Sequence, residues 1–189
     1  MIALKNYYGN IDFLPLIPSS WKFIKIGDVI NIARGGSPRP IQDYITNRDD
    51  GYNWIKIGDT SINSKYITTT KEKIKKEGLY KTRLVHPGDF LLTNSMSFGH
   101  PYILMIDGCI HDGWLVLSDS FNLYHKEFLY YLLSSPYVYK SFCSTVGGSV
   151  VKNLNSDKVS NTVIPLLPTN EQIRITNRIE EIFSLLEAC

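Results

Sequence analysis

The sequence predicts an α+β fold, in which a mixed sheet-containing domain over residues 1–168 precedes a C-terminal helix over residues 169–189. Short apolar runs bounded by glycine and proline turns fill the chain as far as residue 118, as is typical of strands. From His125 onward the apolar residues recur at helical spacing. The final segment carries an apolar stripe bordered by charges, which predicts one long amphipathic helix.

The composition is that of one folded domain. The chain has 189 residues, of which 43% are hydrophobic, and this is enough for a core of its own. No apolar run approaches the roughly 20 residues that cross a bilayer, and no signal-peptide core follows the first residues. We therefore expect a cytoplasmic protein with no membrane partner. The three cysteines lack CxxC spacing, which favours free thiols over a disulfide framework.

The first strands are predicted around a glycine pair. Residues 24–36 alternate apolar and polar side chains and end at two glycines, which predicts a strand, or a short helix and a strand, followed by a loop. Arginines and prolines in residues 34–39 and just beyond predict that this loop is exposed. The string IKIGD occurs at residues 24–28 and again at 55–59. One shared five-residue string is too short to predict a structural repeat.

The middle of the chain alternates a basic segment with apolar runs. Residues 68–84 are rich in Lys and Glu, begin with threonines and contain Gly78, which predicts a helix that stops near this glycine. Residues 86–95 predict a turn, a strand and a polar loop. Residues 101–106 and 113–118 predict two further strands, so the centre of the domain is expected to be a sheet.

Helical periodicity dominates the last third. The apolar residues from Phe128 to Leu133 share one face, and a second short helix is expected after Pro136. A Gly-led polar loop, a short helix and a brief strand follow. Thr169 or Asn170 would then cap the final helix, with Glu171 or Gln172 completing a capping box.

The stripe of this final helix predicts an interface. At 1.5 Å per residue the helix would be about 30 Å long, too long for a small domain to cover completely. Docking against its own domain is the alternative. We assign dimerisation to the apolar residues at spacings of three and four, together with one aromatic neighbour: Ile175, Ile179, Ile182, Phe183 and Leu186.

Charge is unevenly distributed along the chain. Residues 1–88 hold 14 Lys and Arg against 8 Asp and Glu, whereas the rest hold 6 against 10. Residues 65–83 alone contain seven basic and two acidic side chains. This asymmetry indicates either a surface that faces a polyanion or a solvated Lys-rich face.

Patterns for catalysis are absent from the sequence. Residues 95–100 lack the first glycine of a GxSxG nucleophile elbow, and the His and Asp residues at 100–112 lack metal-ligand spacing. No phosphate-cradling P-loop, dinucleotide GxGxxG motif or methyltransferase signature occurs. The sequence therefore predicts no enzymatic activity. Its loops instead supply Arg, Lys, Ser, Asn and Thr, the side chains that contact DNA phosphates and base edges.

Six fragments follow one another from about residue 14 to the end of the chain: LPLIPSSW, IGDVINIARGGSP, YNWIKIGDTS, LVHPGDFLLTNSMSFG, HKEFLYYLLSS and VGGSVVKNLNSDKVSNTVIPLLPTNEQIRI. The most specific of them ends in IPLLPTNEQIRI at residues 164–175. In this order, the fragments resemble the specificity subunit of type I restriction-modification systems.

The resemblance implies a DNA target recognition domain followed by a spacer helix. A full subunit of that family holds two such units, whose helices pair antiparallel and set the distance between the DNA half-sites. This sequence has one unit and resembles a half subunit, so two copies would pair through the helix. The implied partners are double-stranded DNA, a DNA methyltransferase (modification) subunit that carries S-adenosylmethionine, and a restriction subunit. No cofactor is expected in this chain.

The resemblance also implies which segments face DNA. They are the loop of residues 34–39, the loop of residues 95–100 after the PGDFLL-like strand, the Gly-led loop of residues 147–155, and the variable basic segment. The DNA-binding candidates in them are Arg34, Gly36, Ser37, Arg39, Lys71, Lys73, Lys81, Arg83, Ser95, Ser97, His100, Ser149, Lys152 and Asn153.

A second hypothesis remains open. The chain would be a protein-interaction module that dimerises through its C-terminal helix, and its polar loops would not bind nucleic acid. DNA binding weakens steeply with salt, so salt dependence distinguishes the two hypotheses.

Overall fold

A computed structural model describes residues 16–95, 98–143 and 154–188. The strands in these ranges are β1 (Lys22–Lys25), β2 (Asn31–Arg34), β3 (Ile45–Thr46), β4 (Tyr52–Ile55), β5 (Tyr66–Ile67), β6 (Glu72–Ile74), β7 (Arg83–Val85), β8 (Phe90–Thr93), β9 (Pro101–Leu104), β10 (Gly108–Ile110), β11 (Trp114–Ser118) and β12 (Val163–Leu166). The α-helices are α1 (Lys126–Leu133), α2 (Pro136–Cys143), α3 (Ser156–Ser160) and α4 (Thr169–Glu187). None of these helices combines the length and the apolar composition needed to cross a bilayer.

The strands form two five-stranded sheets and one two-stranded ribbon. The inner sheet has the order β2-β11-β8-β9-β5, and the outer sheet has the order β3-β6-β4-β10-β7. The ribbon pairs β1 with β12 and so joins the two ends of the domain. The pairs β4–β10 and β5–β9 are parallel, whereas the other pairs are antiparallel. Mixed sheets with separate helices confirm the predicted α+β class.

The inner sheet is buried on both faces. In β8, Phe90 and Leu92 pack with the helices, whereas Leu91, which lies between them, packs with the outer sheet. Successive side chains of a strand point to opposite faces, so a strand covered on both sides must be apolar throughout. This explains why residues 90–92 of β8, 101–104 of β9 and 114–117 of β11 are apolar runs without polar alternation.

A third apolar layer covers the far side of the outer sheet. Trp54, Ile74 and Cys109 are buried there beneath short 3-10 turns that contribute Tyr44 and Leu79. The domain is therefore layered from helices through the inner sheet and the outer sheet to these turns. Trp54 is a core residue of this outermost layer.

The prediction of a helix over residues 68–84 is wrong. This segment forms β6, a 3-10 turn over Lys76–Lys81, and β7. Ile74 is fully buried and its strand pairs with both β3 and β4, so sheet pairing outweighs the weak helix preference of Lys and Glu. Gly78 lies inside the 3-10 turn and ends no helix.

The repeated string IKIGD forms the same local structure twice. In each copy a strand ends and a 3-10 turn begins, and the aspartate side chain accepts a hydrogen bond from the backbone of the lysine three residues earlier. The distances are 3.2 Å from Lys25 N to Asp28 Oδ2 and 2.9 Å from Lys56 N to Asp59 Oδ2. The two copies therefore share a strand-ending motif, although they do not mark a larger structural repeat.

The final helix begins without the predicted cap. α4 starts at Thr169, directly after Pro168, and no side chain caps it. The backbone amides of Glu171 and Gln172 donate to the carbonyl oxygen of Pro168 instead. The helix itself is confirmed, but the capping box of Thr169 or Asn170 is wrong because Gln172 is engaged elsewhere.

Gln172 attaches α4 to the domain. Its side chain is fully buried, with Oε1 accepting from the backbone of His125 at 2.7 Å. Its Nε2 donates to the carbonyl oxygens of Leu123 at 2.9 Å and Leu167 at 2.8 Å. One amide therefore satisfies three backbone groups where the chain enters α1 and leaves β12. Thr176, one turn later, is also buried.

We expect Gln172→Ala to lower the free energy of unfolding by about 2 kcal/mol or more, because buried backbone groups lose their partners. Urea denaturation followed by circular dichroism measures this change. Asn177→Ala is the matched control, because Asn177 is exposed on the same helix. Equal stability of the two variants would contradict the anchoring role of Gln172.

Candidate nucleic-acid interface

The loop of residues 34–39 is organised around Asp112. Ser37 Oγ donates to Asp112 Oδ1 at 2.8 Å, and Arg39 Nη2 lies 3.8 Å from Asp112 Oδ2. Arg34 Nε donates to the backbone oxygen of Asp112 at 3.0 Å. The two arginines and the serine predicted from the sequence are thus held by a single residue of the β10–β11 connection.

The glycine pair lets this loop approach the outer sheet. The amides of Gly35 and Gly36 donate to the carbonyl oxygens of Trp114 and Ile110 at 3.0 and 3.2 Å. A Cβ atom at Gly36 would lie only 2.2 Å from the carbonyl oxygen of Lys81. Gly36 is therefore required for the close packing of the loop, in addition to any contact with DNA.

The packing of Gly36 brings further positive charge beside the loop. Lys81 ends the 3-10 turn next to Gly36, with its ammonium 5.7 Å from the exposed ring of Tyr80. Arg83 begins β7, is exposed, and pairs with Ile110 of β10. We call the residues that this arrangement brings together the basic surface: Arg34, Ser37, Arg39, Lys81 and Arg83.

Lys71 and Lys73 lie outside the basic surface. Two strands, β10 and β4, separate β7 from β6, so Lys73 is about 14 Å from Arg83 at the usual strand spacing. Lys73 Nζ donates to the carbonyl oxygen of Asp49, and Lys71 Nζ donates to that of Gly58. The structure thus divides the basic segment that is continuous in the sequence between two parts of the outer sheet.

Asn94 connects two other predicted loops to the first. Its side chain is buried and donates to the backbone oxygen of Asp112 at 2.7 Å. Its own carbonyl oxygen accepts from the backbone of Leu154 at 2.8 Å. Ser95 follows directly and is half-buried. The candidates Ser97, Ser149, Lys152 and Asn153 lie outside the described residues.

The described ends of the three predicted DNA-facing loops therefore meet at one place. The loop of residues 34–39 reaches it through Asp112, and the loop of residues 95–100 leaves it from Asn94. The last residues of the loop at 147–155 return to it through the Asn94 carbonyl oxygen. A connected polar junction thus lies beside the basic surface.

His100 faces the protein interior. Its ring centroid lies 4.8 Å from that of Tyr102, and its buried Nε2 has no hydrogen-bond partner within the described ranges. Burial lowers the pKa of the His100 imidazole, which favours the neutral form. This geometry favours a packing role for the imidazole over direct contact with a phosphate.

The charge states at the junction follow from its contacts. The Ser37 hydroxyl lowers the pKa of Asp112 and outweighs the opposing effect of partial burial, so this carboxylate is ionised at neutral pH. Burial lowers the pKa of the neighbouring His111, whose Nε2 accepts from the backbone of Ile57 at 3.1 Å. Within the described part of the chain, no group of His, Cys, Asp or Glu side chains is arranged to hold a metal ion.

Sequence reasoning missed Asn94 and Asp112 as organising residues. They are 18 positions apart and meet because β8 pairs with β11. No local pattern marks such a pair, although each polar residue lies close to an end of a largely apolar strand. A polar side chain at the end of a buried strand faces a loop or a site. The position of Asn94 and Asp112 near such strand ends is therefore the signal by which the sequence could have identified them.

The apolar stripe of α4 divides into a docked half and an exposed half. Ile175 packs against the helical core and Ile179 is half-buried. Beyond them Ile182, Phe183 and Leu186 are 45%, 50% and 66% exposed. The domain thus covers the beginning of the predicted stripe and leaves its end accessible.

Lys65 holds the middle of α4. Its ammonium pairs with Glu127 of α1 and with Glu180 of α4, and it donates a hydrogen bond to the hydroxyl oxygen of Tyr131 at 3.3 Å. Burial alone would lower the pKa of Lys65, but its hydrogen bonds to Glu127 and Tyr131 outweigh burial and raise it. This clamp is composed of residues far apart in the sequence, which gave no indication of it.

Known proteins share this sequence pattern and this architecture. The specificity subunit of the type I restriction enzyme EcoBI from Escherichia coli is 25% identical over 181 residues, covering 92% of this chain and 37% of the relative. A chain from a solved structure that concerns complex assembly and conformational transition of the type I R-M system has a TM-score of 0.74 at 20% identity. That match covers 99% of this chain and 44% of the other.

A second solved structure shows the same fold. The HsdS subunit from Thermoanaerobacter tengcongensis has a TM-score of 0.72 at 20% identity, covering 99% of this chain and 43% of the other. The chain thus spans less than half the length of these relatives. The family model described as the type I restriction modification DNA specificity domain matches residues 18–188. This chain therefore belongs to the type I restriction-modification DNA specificity domain family.

Proposed function

We propose that this chain is a non-catalytic unit that recognises a specific double-stranded DNA sequence for a type I restriction-modification system. The observation that carries the proposal is the junction of Asn94 and Asp112, where three polar loops meet beside the basic surface. Family membership agrees with this function, because the matching model is a DNA specificity domain.

The basic surface supplies the chemistry for both kinds of DNA contact. Lys81 and Arg83 would neutralise phosphates, which gives affinity without sequence preference. Arg39 projects from a loop that is held in place by its glycine amides and by Ser37, so it would read base edges in the major groove. A fixed loop loses little conformational entropy on binding, which favours discrimination between sequences.

Other subunits would perform the reactions. A DNA methyltransferase subunit carrying S-adenosylmethionine would methylate the site that this chain selects, and a restriction subunit would cleave unmodified DNA. All three would act in the cytoplasm, where their DNA substrate lies. The domain of residues 1–168 would recognise DNA, and the helix of residues 169–189 would act as the spacer.

A second copy of the chain would bind the exposed half of α4. Ile182, Phe183 and Leu186 leave an exposed apolar strip near the end of a helix that also carries charged side chains. Antiparallel pairing of two such helices would bury this strip and present two recognition domains to a split, symmetric DNA site. The exposed apolar strip would also fit the alternative hypothesis of an interaction module that does not bind DNA. That hypothesis, however, does not explain the basic surface.

We expect Arg39→Ala to weaken binding to the recognised duplex about tenfold or more, as for the loss of one arginine contact to a base. The affinity would be measured by fluorescence anisotropy across a salt series, with the methyltransferase partner present. Arg48→Ala is the matched control, because Arg48 is an exposed arginine that pairs with Asp50 between β3 and β4. Wild-type affinity of Arg39→Ala at every salt concentration would exclude Arg39 from the interface.

We expect Ile182→Asp combined with Leu186→Asp to convert a dimer into a monomer, because each substitution places a charge in the apolar strip. Light scattering at a fixed protein concentration measures the mass. The control is Asn177→Asp, which adds one charge at an exposed position of the same helix. If the wild-type chain is already monomeric at every concentration tested, the strip does not bind a second copy.

A further inference from the structure

We propose that Asp112 is a specificity-determining positioning residue, which fixes the reading loop and also opposes unspecific DNA binding. This inference rests on the proposed function. Asp112 would act through Ser37 and Arg39, without contact with a base of its own. Its carboxylate would hold the loop ready for the recognised sequence and repel phosphates when that sequence is absent.

The two carboxylate oxygens and the backbone oxygen of Asp112 contact different residues. Oδ1 accepts the short hydrogen bond from Ser37, whereas Oδ2 lies 3.8 Å from Arg39. The backbone oxygen accepts from both Arg34 and Asn94. Loss of the side chain would therefore release the tip of the loop but leave its base attached through the backbone.

The contacts of the Asp112 carboxylate with Ser37 and with Arg39 differ in strength. The contact with Ser37 is a short hydrogen bond to a charged acceptor, which is among the stronger kinds. The ion pair with Arg39 is long, and the Arg39 side chain is 72% exposed, so solvent screens it. Arg39 can thus exchange its carboxylate partner for a guanine edge, while Ser37 keeps the loop in place.

The charge of Asp112 has a cost at a surface that binds DNA. The carboxylate is about half exposed and lies within the basic surface, so it reduces the attraction of this surface for phosphates. Removal of one negative charge would strengthen contacts to any DNA, whatever its sequence. A residue that lowers unspecific affinity and maintains specific affinity increases the ratio between them, which sets specificity.

The test compares two duplexes with the full chain bound to its methyltransferase partner. One duplex carries the sequence at which methylated bases are mapped in cells that express both subunits, and the other is a scrambled duplex of equal length and composition. Affinities for both are measured by anisotropy between low and physiological salt. Thermal unfolding of each variant reports its stability.

Three substitutions separate charge from positioning. Asp112→Ala is expected to lower affinity for the mapped duplex about tenfold and to raise affinity for the scrambled duplex several-fold, with a steeper salt dependence. Asp112→Asn keeps an oxygen for Ser37, so it should raise scrambled binding but retain more specific affinity than Asp112→Ala. Ser37→Ala should lower specific affinity without the gain on scrambled DNA.

Asp107→Asn is the control for net charge, because Asp107 is exposed at the opposite end of β10. Its effect on scrambled binding should be smaller than that of Asp112→Asn. If Asp112→Ala lowers both affinities together with thermal stability, or changes neither affinity, the inference is overturned. Equal wild-type affinity for the two duplexes would instead reject the proposed function on which the inference rests.

Discussion

The central strands of the inner sheet are apolar on both faces, and this constraint determines where polar chemistry can lie. Side chains in the middle of β8 or β11 are buried whichever way they point, so polar groups are accommodated where these strands end. Asn94 follows β8, and Asp112 precedes β11. Because the two strands are neighbours in the sheet, their ends bring these residues into hydrogen-bonding distance. The loops that we assign to DNA are therefore positioned by the packing of the core.

The same core supports the C-terminal helix. Buried Gln172 attaches the start of α4 to the backbone near α1, and Lys65 attaches its middle through Glu127 and Glu180. The last turns extend beyond these contacts and keep their apolar residues exposed. The direction of the helix relative to the basic surface is thus fixed by two sets of polar contacts. In a paired assembly, that direction would help to set the separation of two DNA half-sites.

Much of the fold could be predicted from the sequence, because its strands and helices have strong local patterns. The runs that form β8, β9 and β11 and the periodicity of α1 are examples. The prediction for the segment containing Ile74 was wrong. Its Lys and Glu content favours a helix locally, whereas long-range pairing with β3 and β4 makes it a strand. The candidate site was predictable at the level of loops. Asn94 and Asp112 were not, since their roles arise from contacts between distant segments.

In the proposed function, the loops meeting at Asn94 and Asp112 select one DNA sequence. The most direct measurement maps methylated bases across the genome of cells that express this chain with its methyltransferase partner, and of matched cells that lack only this chain. We expect one recurring sequence that is methylated only when the chain is present. An identical methylation map in the two kinds of cell would contradict selection of a DNA sequence by this chain.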